Sequence, residues 1–244
     1  MKILTGLVCA CALTASAATV TFDFTTSGGT LGGGSPFGDT RTYTSGIYKV
    51  TASAFSVPAA NYGTTNFSAA QLNQYSGFGL AVCDVDEGAG CGDPLHQIDN
   101  SGDIDFVLFQ FYVNNVLTSV DPASIVINPF NVWDKDASYF VGNSNGNLTG
   151  LNLGTLGMGS RMDDNDPGAT INTNPRTVTI GGGTGNALLF GARLPGNNAD
   201  GDIDRFKIES LTINTVATPE PATFGLAGIA LVGLGLLRKR TNRG

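Results

Sequence analysis

Residues 104–113 read IDFVLFQFYV, a run that is apolar on both parities except for Asp105 and Gln110. Successive side chains of a strand point to opposite faces, so a run of this kind needs cover on both faces and belongs in the middle of a sheet. Shorter segments of the same character recur along the chain. In TVTFDF, Val20, Phe22 and Phe24 alternate with polar neighbours, as in a half-buried first strand, and GIYKVTASAFSV (46–57) reads as a second. SIVINPF (124–130), SYFVG (138–142), RTVTI (176–180) and ALLFGA (187–192) follow. Gly, Asn, Asp and Pro punctuate the intervals, and no stretch keeps a helical apolar period over three turns. In RFKIESLTINT (205–215), Phe206 and Ile208 share one parity whereas Leu211 and Ile213 share the other. A β-bulge near Glu209 and Ser210 reconciles them. The fold expected is all-β, about ten short strands in a single jelly-roll-like β-sandwich rather than a closed barrel.

The two ends of the chain do not fit that body. Lys2, the uncharged ILTGLVCACAL and then TASAA have the order of a secretory signal peptide, with cleavage expected after Ala17. At the other end, the 16 residues Ala222–Leu237 carry no charge and are followed by Arg238, Lys239 and Arg240. As a helix this run rises about 24 Å, short of the roughly 30 Å hydrocarbon core, so it spans with local thinning or snorkelling of the basic residues. The basic cluster places that end on the cytoplasmic side and everything before it outside. Gly225, Gly228, Gly233 and Gly235 fit a membrane segment better than a buried core helix, the competing reading. The expected organisation is thus a signal peptide at 1–17, an ectodomain at 18–215, a Pro-rich linker at 216–221, and a transmembrane helix with a basic tail at 222–244.

Five of the 13 basic residues lie in these terminal segments but only one of the 20 acidic ones does, leaving eight against nineteen, a net charge of −11 for the ectodomain. Such a surface repels nucleic acid and anionic lipid and suits cations. Of the four cysteines, Cys9 and Cys11 leave with the signal peptide. An even pair, Cys83 and Cys91, remains in an exported domain and is expected to form a disulfide, against the alternative of a thiol working with His96, the single histidine.

The acidic residues cluster as Asp84, Asp86 and Glu87; Asp99, Asp103 and Asp105; Asp134 and Asp136; Asp163, Asp164 and Asp166; and Asp200, Asp202 and Asp204. Oxygen ligands at alternate loop positions suit Ca²⁺, although none of these runs completes an EF-hand. The same residues also serve turns by capping their own backbone. GDID occurs twice, at 102–105 and 201–204, each time leading into an aromatic-bearing strand. Asp99, Asp103, Asp105, Asp200, Asp202 and Asp204 are therefore the candidate metal ligands, and loops that meet in space would share one ion. A common turn-to-strand device accounts for the repeat equally.

Catalytic motifs are weak. Gly142, Ser144 and Gly146 match G-x-S-x-G, but a nucleophile elbow needs a following helix and a later histidine, and His96 comes earlier. GGTGNALLF (182–190) resembles one nonapeptide Ca²⁺ repeat that never recurs. Trp133, Phe130 and Tyr139 beside Asp134 and Asp136 suit either a sugar-stacking platform or the core. Asn66 and Asn147 lie in glycosylation sequons. No catalytic residue is assigned; the alternative reading is a secreted carbohydrate-active enzyme using paired aspartates.

Pro219, Glu220 and Pro221, the apolar run, and then Arg238, Lys239 and Arg240 resemble the PEP-CTERM sorting signal of exported bacterial proteins. The resemblance implies general secretory export, temporary tethering in the inner membrane, and recognition near Pro219–Pro221 by an exosortase of an exopolysaccharide-producing Gram-negative bacterium. Release to the cell surface or the extracellular matrix would follow. The expectation for the whole is a non-enzymatic surface or matrix protein, with Ca²⁺ and exopolysaccharide as ligands of its β domain and no nucleic-acid partner.

Overall fold

The computed structural model describes residues 18–26, 30–32, 37–87, 96–166, 172–196, 201–215 and 230. The expected signal peptide lies outside them, as does the expected membrane helix at 222–244 apart from Ala230. No helix among the described residues is long and apolar enough to cross a membrane. Among the described residues, sixteen strands run in the order β1 Thr19–Asp23, β2 Thr30–Gly32, β3 Thr40–Ser45, β4 Tyr48–Pro58, β5 Ser68–Ala69, β6 Gln71–Tyr75, β7 Gly79–Cys83, β8 Ile98–Asp99, β9 Asp103–Val113, β10 Val116–Leu117, β11 Asp121–Asn128, β12 Ala137–Gly142, β13 Met162–Asp164, β14 Arg176–Thr179, β15 Ala187–Ala192 and β16 Arg205–Asn214.

They form two sheets whose strand pairs are antiparallel. One has the order β14-β11-β16-β7-β6, with β1 and β8 also on β16; the other has β13-β12-β15-β9-β4-β3-β2, with β10 on β9 and β5 on β4. Residues 19–214 make one compact unit. β9 sits centrally, between β15 and β4, and its doubly apolar sequence is explained by two separate coverings. On one face Phe109 stacks on Phe24 at 5.6 Å between ring centroids, while the rings of Phe190 in β15 and Phe206 in β16 join the two sheets at 5.9 Å. On the other face Phe106 meets Phe67 edge-on at 5.7 Å, beneath loops that bury Leu148 and Leu156.

The expected bulge in β16 is present at Glu209. Val126 of β11 pairs with Ser210 and Ile127 with Ile208, skipping one residue, so Phe206, Ile208, Leu211 and Ile213 are all buried. The Glu209 carbonyl released from that ladder accepts the Phe24 amide at 2.8 Å. The β6–β7 hairpin was not expected as a strand pair. QLNQY offers little apolar signal because its outer residues lie at a sheet edge, whereas GLAVC is buried throughout.

Backbone spacing is very tight at Gly191 in β15. A Cβ there would lie 2.1 Å from the Asp105 carbonyl oxygen and 2.5 Å from the Phe106 ring, neither of which can yield within a sheet centre. Gly191→Ala is expected to lower unfolding stability by at least about 2 kcal/mol, measured by chemical denaturation; an unchanged midpoint would contradict this packing.

Candidate functional site

The two GDID segments adopt the same turn. Gly102 and Gly201 have φ of +91° and +92° with open space where a Cβ would stand, so conformation rather than room selects glycine at both. In each, the first aspartate (Asp103, Asp202) is the more exposed and the second (Asp105, Asp204) is buried. The strands they lead into belong to different sheets, yet the loops meet. Asn100 donates to Asp204 Oδ2 at 2.7 Å and accepts the Asp204 amide at 3.0 Å.

Asp204 is also where a third segment arrives. A parallel bridge pairs it with Asp134, and its Oδ1 accepts the Asp136 amide at 2.7 Å. Carboxylate oxygens of Asp134, Asp136 and Asp204 all lie within 4.8 Å of one another, and all three residues are buried. Asp134 Oδ1 accepts the Lys135 amide at 2.8 Å, and Asp136 Oδ1 accepts the amide of Asp166. Cations stand around this triad on neighbouring acids. Lys135 Nζ is 3.5 Å from Asp166, Arg176 pairs with Asp164, and Arg193 lies 3.4 Å and Arg161 2.7 Å from Asp163. Hard oxygens converging in this way are a donor set for a divalent cation such as Ca²⁺, with carbonyls and water filling the remaining positions.

Of the candidate ligands named from sequence, Asp204 therefore joins a convergent cluster. Its companions among the described residues are Asp134 and Asp136; Asp200 lies outside the described residues, and Asp202 is exposed. Asp202 and Asp204, with Asn100, Arg193, Ile203 and Pro195, line a cavity of about 370 Å³ beside the triad.

Asp99 and Asp105 form a second acidic pair, in which Asp105 Oδ2 accepts the Asp99 amide at 3.3 Å. Burial raises Asp99 to about 6, against the lowering effects of its bond to the Ser101 amide and of Arg205, which lies 3.4 Å away. Asp105 is raised well above the usual carboxylate range, first by complete burial and then by Asp99, Asp84 and Glu87. Desolvation likewise raises Asp103 and Glu87, each with Asp84 as the next cause. Folded carboxyls with raised pKa favour the protonated state, so their contribution to stability is fully present below the unfolded value and is lost as pH rises through the folded one. Without divalent cations, the melting temperature should be higher near pH 5 than near pH 8, the decline due to Asp99 running from its unfolded value of 3.8 and levelling off above about 6. Asp99→Asn should flatten that decline; a profile that rises between pH 5 and 8 would contradict the assignment.

The remaining candidates separate in space. His96 Nδ1 lies 3.4 Å from Glu87, and ligand atoms of Cys83, Glu87 and His96 fall within 4.8 Å of one another. Cys83 is buried at the end of β7, while Cys91 lies outside the described residues. Ser144 sits in the loop after β12 and its Oγ accepts the Gly146 amide at 3.1 Å. The next element after it is strand β13, not a helix, so the nucleophile-elbow geometry is missing. Tyr139 is a core residue stacked on Phe190, Phe130 meets Phe78 edge-on, and Trp133 lies under the Arg205 guanidinium at 4.4 Å. These three aromatics therefore share no common stacking face.

The sorting residues Pro219, Glu220, Pro221, Arg238, Lys239 and Arg240 lie outside the described residues. The sequence model of the PEP-CTERM protein-sorting motif matches residues 217–240. The chain carries a PEP-CTERM signal. That signal implies an exported protein directed toward the cell surface, with an exosortase as its processing enzyme. It covers the segment after the β domain and assigns no activity to residues 19–214. No curated protein and no solved structure matches the chain.

Proposed function

We propose that the protein is a non-catalytic surface or matrix component whose β domain, a jelly-roll-like sandwich, is stabilised by Ca²⁺ and contacts extracellular polysaccharide. In this reading residues 222–244 tether it to the inner membrane until an exosortase acts near Pro219–Pro221. A disulfide between Cys83 and Cys91 closes the loop after β7, contributing about 2–3 kcal/mol in the chain-entropy model.

The observation that carries the cation is the buried triad of Asp134, Asp136 and Asp204. Three carboxylates this close disfavour one another's ionisation, and a divalent ion turns that repulsion into coordination. The polysaccharide is supported by the adjoining cavity, whose mixture of Asn100 and Asp202 with Ile203 and Pro195 suits a ligand having both hydroxyls and apolar C–H faces. The ectodomain charge of −11 favours a neutral polymer, or an acidic one bridged by the cation.

Thermal denaturation tests the cation directly. Ca²⁺ at about a hundredfold excess over its dissociation constant should add about 2.7 kcal/mol, roughly 5–10 °C for a domain of this size. Asp136→Asn should abolish the increment. A melting temperature indifferent to EDTA and to Ca²⁺ would refute the structural ion.

Delivery has its own test. Deleting residues 224–244 from a tagged protein should shift it from the membrane fraction into the soluble exported fraction. Unchanged membrane retention would contradict tethering by this segment.

A further inference from the structure

Two hairpins finish together at one pole of the β domain. β3 and β4 join through Gly46 and Ile47, with Gly46 at φ +60°, while β9 and β10 join through Asn114 and Asn115, at φ +50° and +64°. Those positive angles define tight two-residue turns, which hold their flanking residues rigidly. The Asn114 amide donates to the Ile47 carbonyl at 2.9 Å, tying the two tips together. The joined tip carries Ile47, Val116 and Leu117, exposed by 49, 65 and 38%. Behind them stand half-buried Tyr48 and Tyr112, with Lys49 Nζ 4.4 Å from the centre of the Tyr112 ring and 3.0 Å from Asn115 Oδ1. Aliphatic side chains at an apex, backed by tyrosine and lysine, match the order of groups met on entering a bilayer from water.

The chain itself leaves the domain at this pole. β16 runs from Arg205, which pairs with Asp99 at the acidic end, to Asn214, which pairs with Thr19 and Asp121. Asp121 follows directly on the segment after β10, where the Thr118 amide bonds to Phe111 and the Val120 amide to Gly185. β4 and β9 confirm the polarity: Tyr48 opposite Val113 marks the tip, and Pro58 opposite Asp103 marks the acidic end. Only residues 215–221 separate Asn214 from the apolar run that begins at Ala222, a reach of about 25 Å when fully extended. Asp121, the carboxylate beside this exit, is held by the Asn214 side-chain amide at 2.8 Å.

We infer that the tip formed by Ile47, Val116 and Leu117 rests on the lipid surface while the protein is tethered, docking the domain upright with its acidic pole facing away from the membrane. The occupant of this apolar patch is the bilayer because the tether emerges beside it and is too short to carry the domain far from the lipid. This rests on the reading of residues 222–244 as the tether.

The test uses residues 18–244, with the C-terminal segment intact and Cys9 and Cys11 absent with the signal peptide, reconstituted in phosphatidylcholine vesicles containing a nitroxide-headgroup lipid. A fluorophore is placed at Val116→Cys or, separately, at Ile203→Cys on the acidic pole, with the parent lacking either cysteine as background. The tip label should be quenched several-fold more than the label at position 203, and Ile47→Cys should repeat the result if Val116→Cys fails to fold. Protein that floats with the vesicles yet shows equal, weak quenching at both poles would overturn the docking while leaving the tether intact. Failure to float with vesicles at all would overturn the tether, and the docking with it.

Discussion

The domain is organised around the burial of several carboxylates at one end of a β structure whose interior is mostly apolar. Asp105 lies at the mouth of the central strand β9, and Asp204 immediately precedes β16, a central strand of the other sheet. Both are buried because the same glycine turn delivers the second aspartate of GDID inward. Taking an ionised carboxylate out of water is costly unless hydrogen bonds, opposite charge or a metal compensate. The surrounding structure supplies each of the first two. Backbone amides of Asp136 and Asp166 and the Asn100 amide reach the triad, and Lys135, Arg161, Arg176, Arg193 and Arg205 pair with neighbouring acids. Six of the eight cations in the ectodomain are buried or half-buried at this pole or on β16; five of them pair with acids, and Lys207 lies over the rings of Tyr75, Phe78 and Phe130.

The opposite pole has a different character. Tight asparagine and glycine turns present aliphatic side chains to the outside, and the chain exits beside them toward its sorting segment. The domain is thus polarised along its strands, with buried acids at one end and exposed aliphatic side chains at the other.

Much of the strand pattern was legible because burial writes directly into the sequence. The double parity of residues 104–113 reports cover on both faces, and the parity switch between Ile208 and Leu211 reports the bulge at Glu209. Strands such as QLNQY stayed hidden because an edge position relaxes the demand for apolar residues. The convergence of Asp134, Asp136 and Asp204 was less legible. Sequence proximity suggested that Asp200, Asp202 and Asp204 act together, whereas the partners of Asp204 lie about seventy residues earlier, brought in by the bridge to Asp134. Only chain topology carries that information. A usable signal did exist, since Asp134 and Asp136 stand between Trp133 and the buried strand β12, a setting where exposed turn aspartates are out of place.

Trp133, the single tryptophan, immediately precedes Asp134, so the protein contains its own antenna for an ion at the triad. The decisive measurement is terbium luminescence excited through that indole. An ion held by Asp134, Asp136 and Asp204 predicts sensitised Tb³⁺ emission that Ca²⁺ displaces and that Asp136→Asn abolishes. Emission no stronger than that of Tb³⁺ free in buffer, from folded protein, would contradict a cation at this pole.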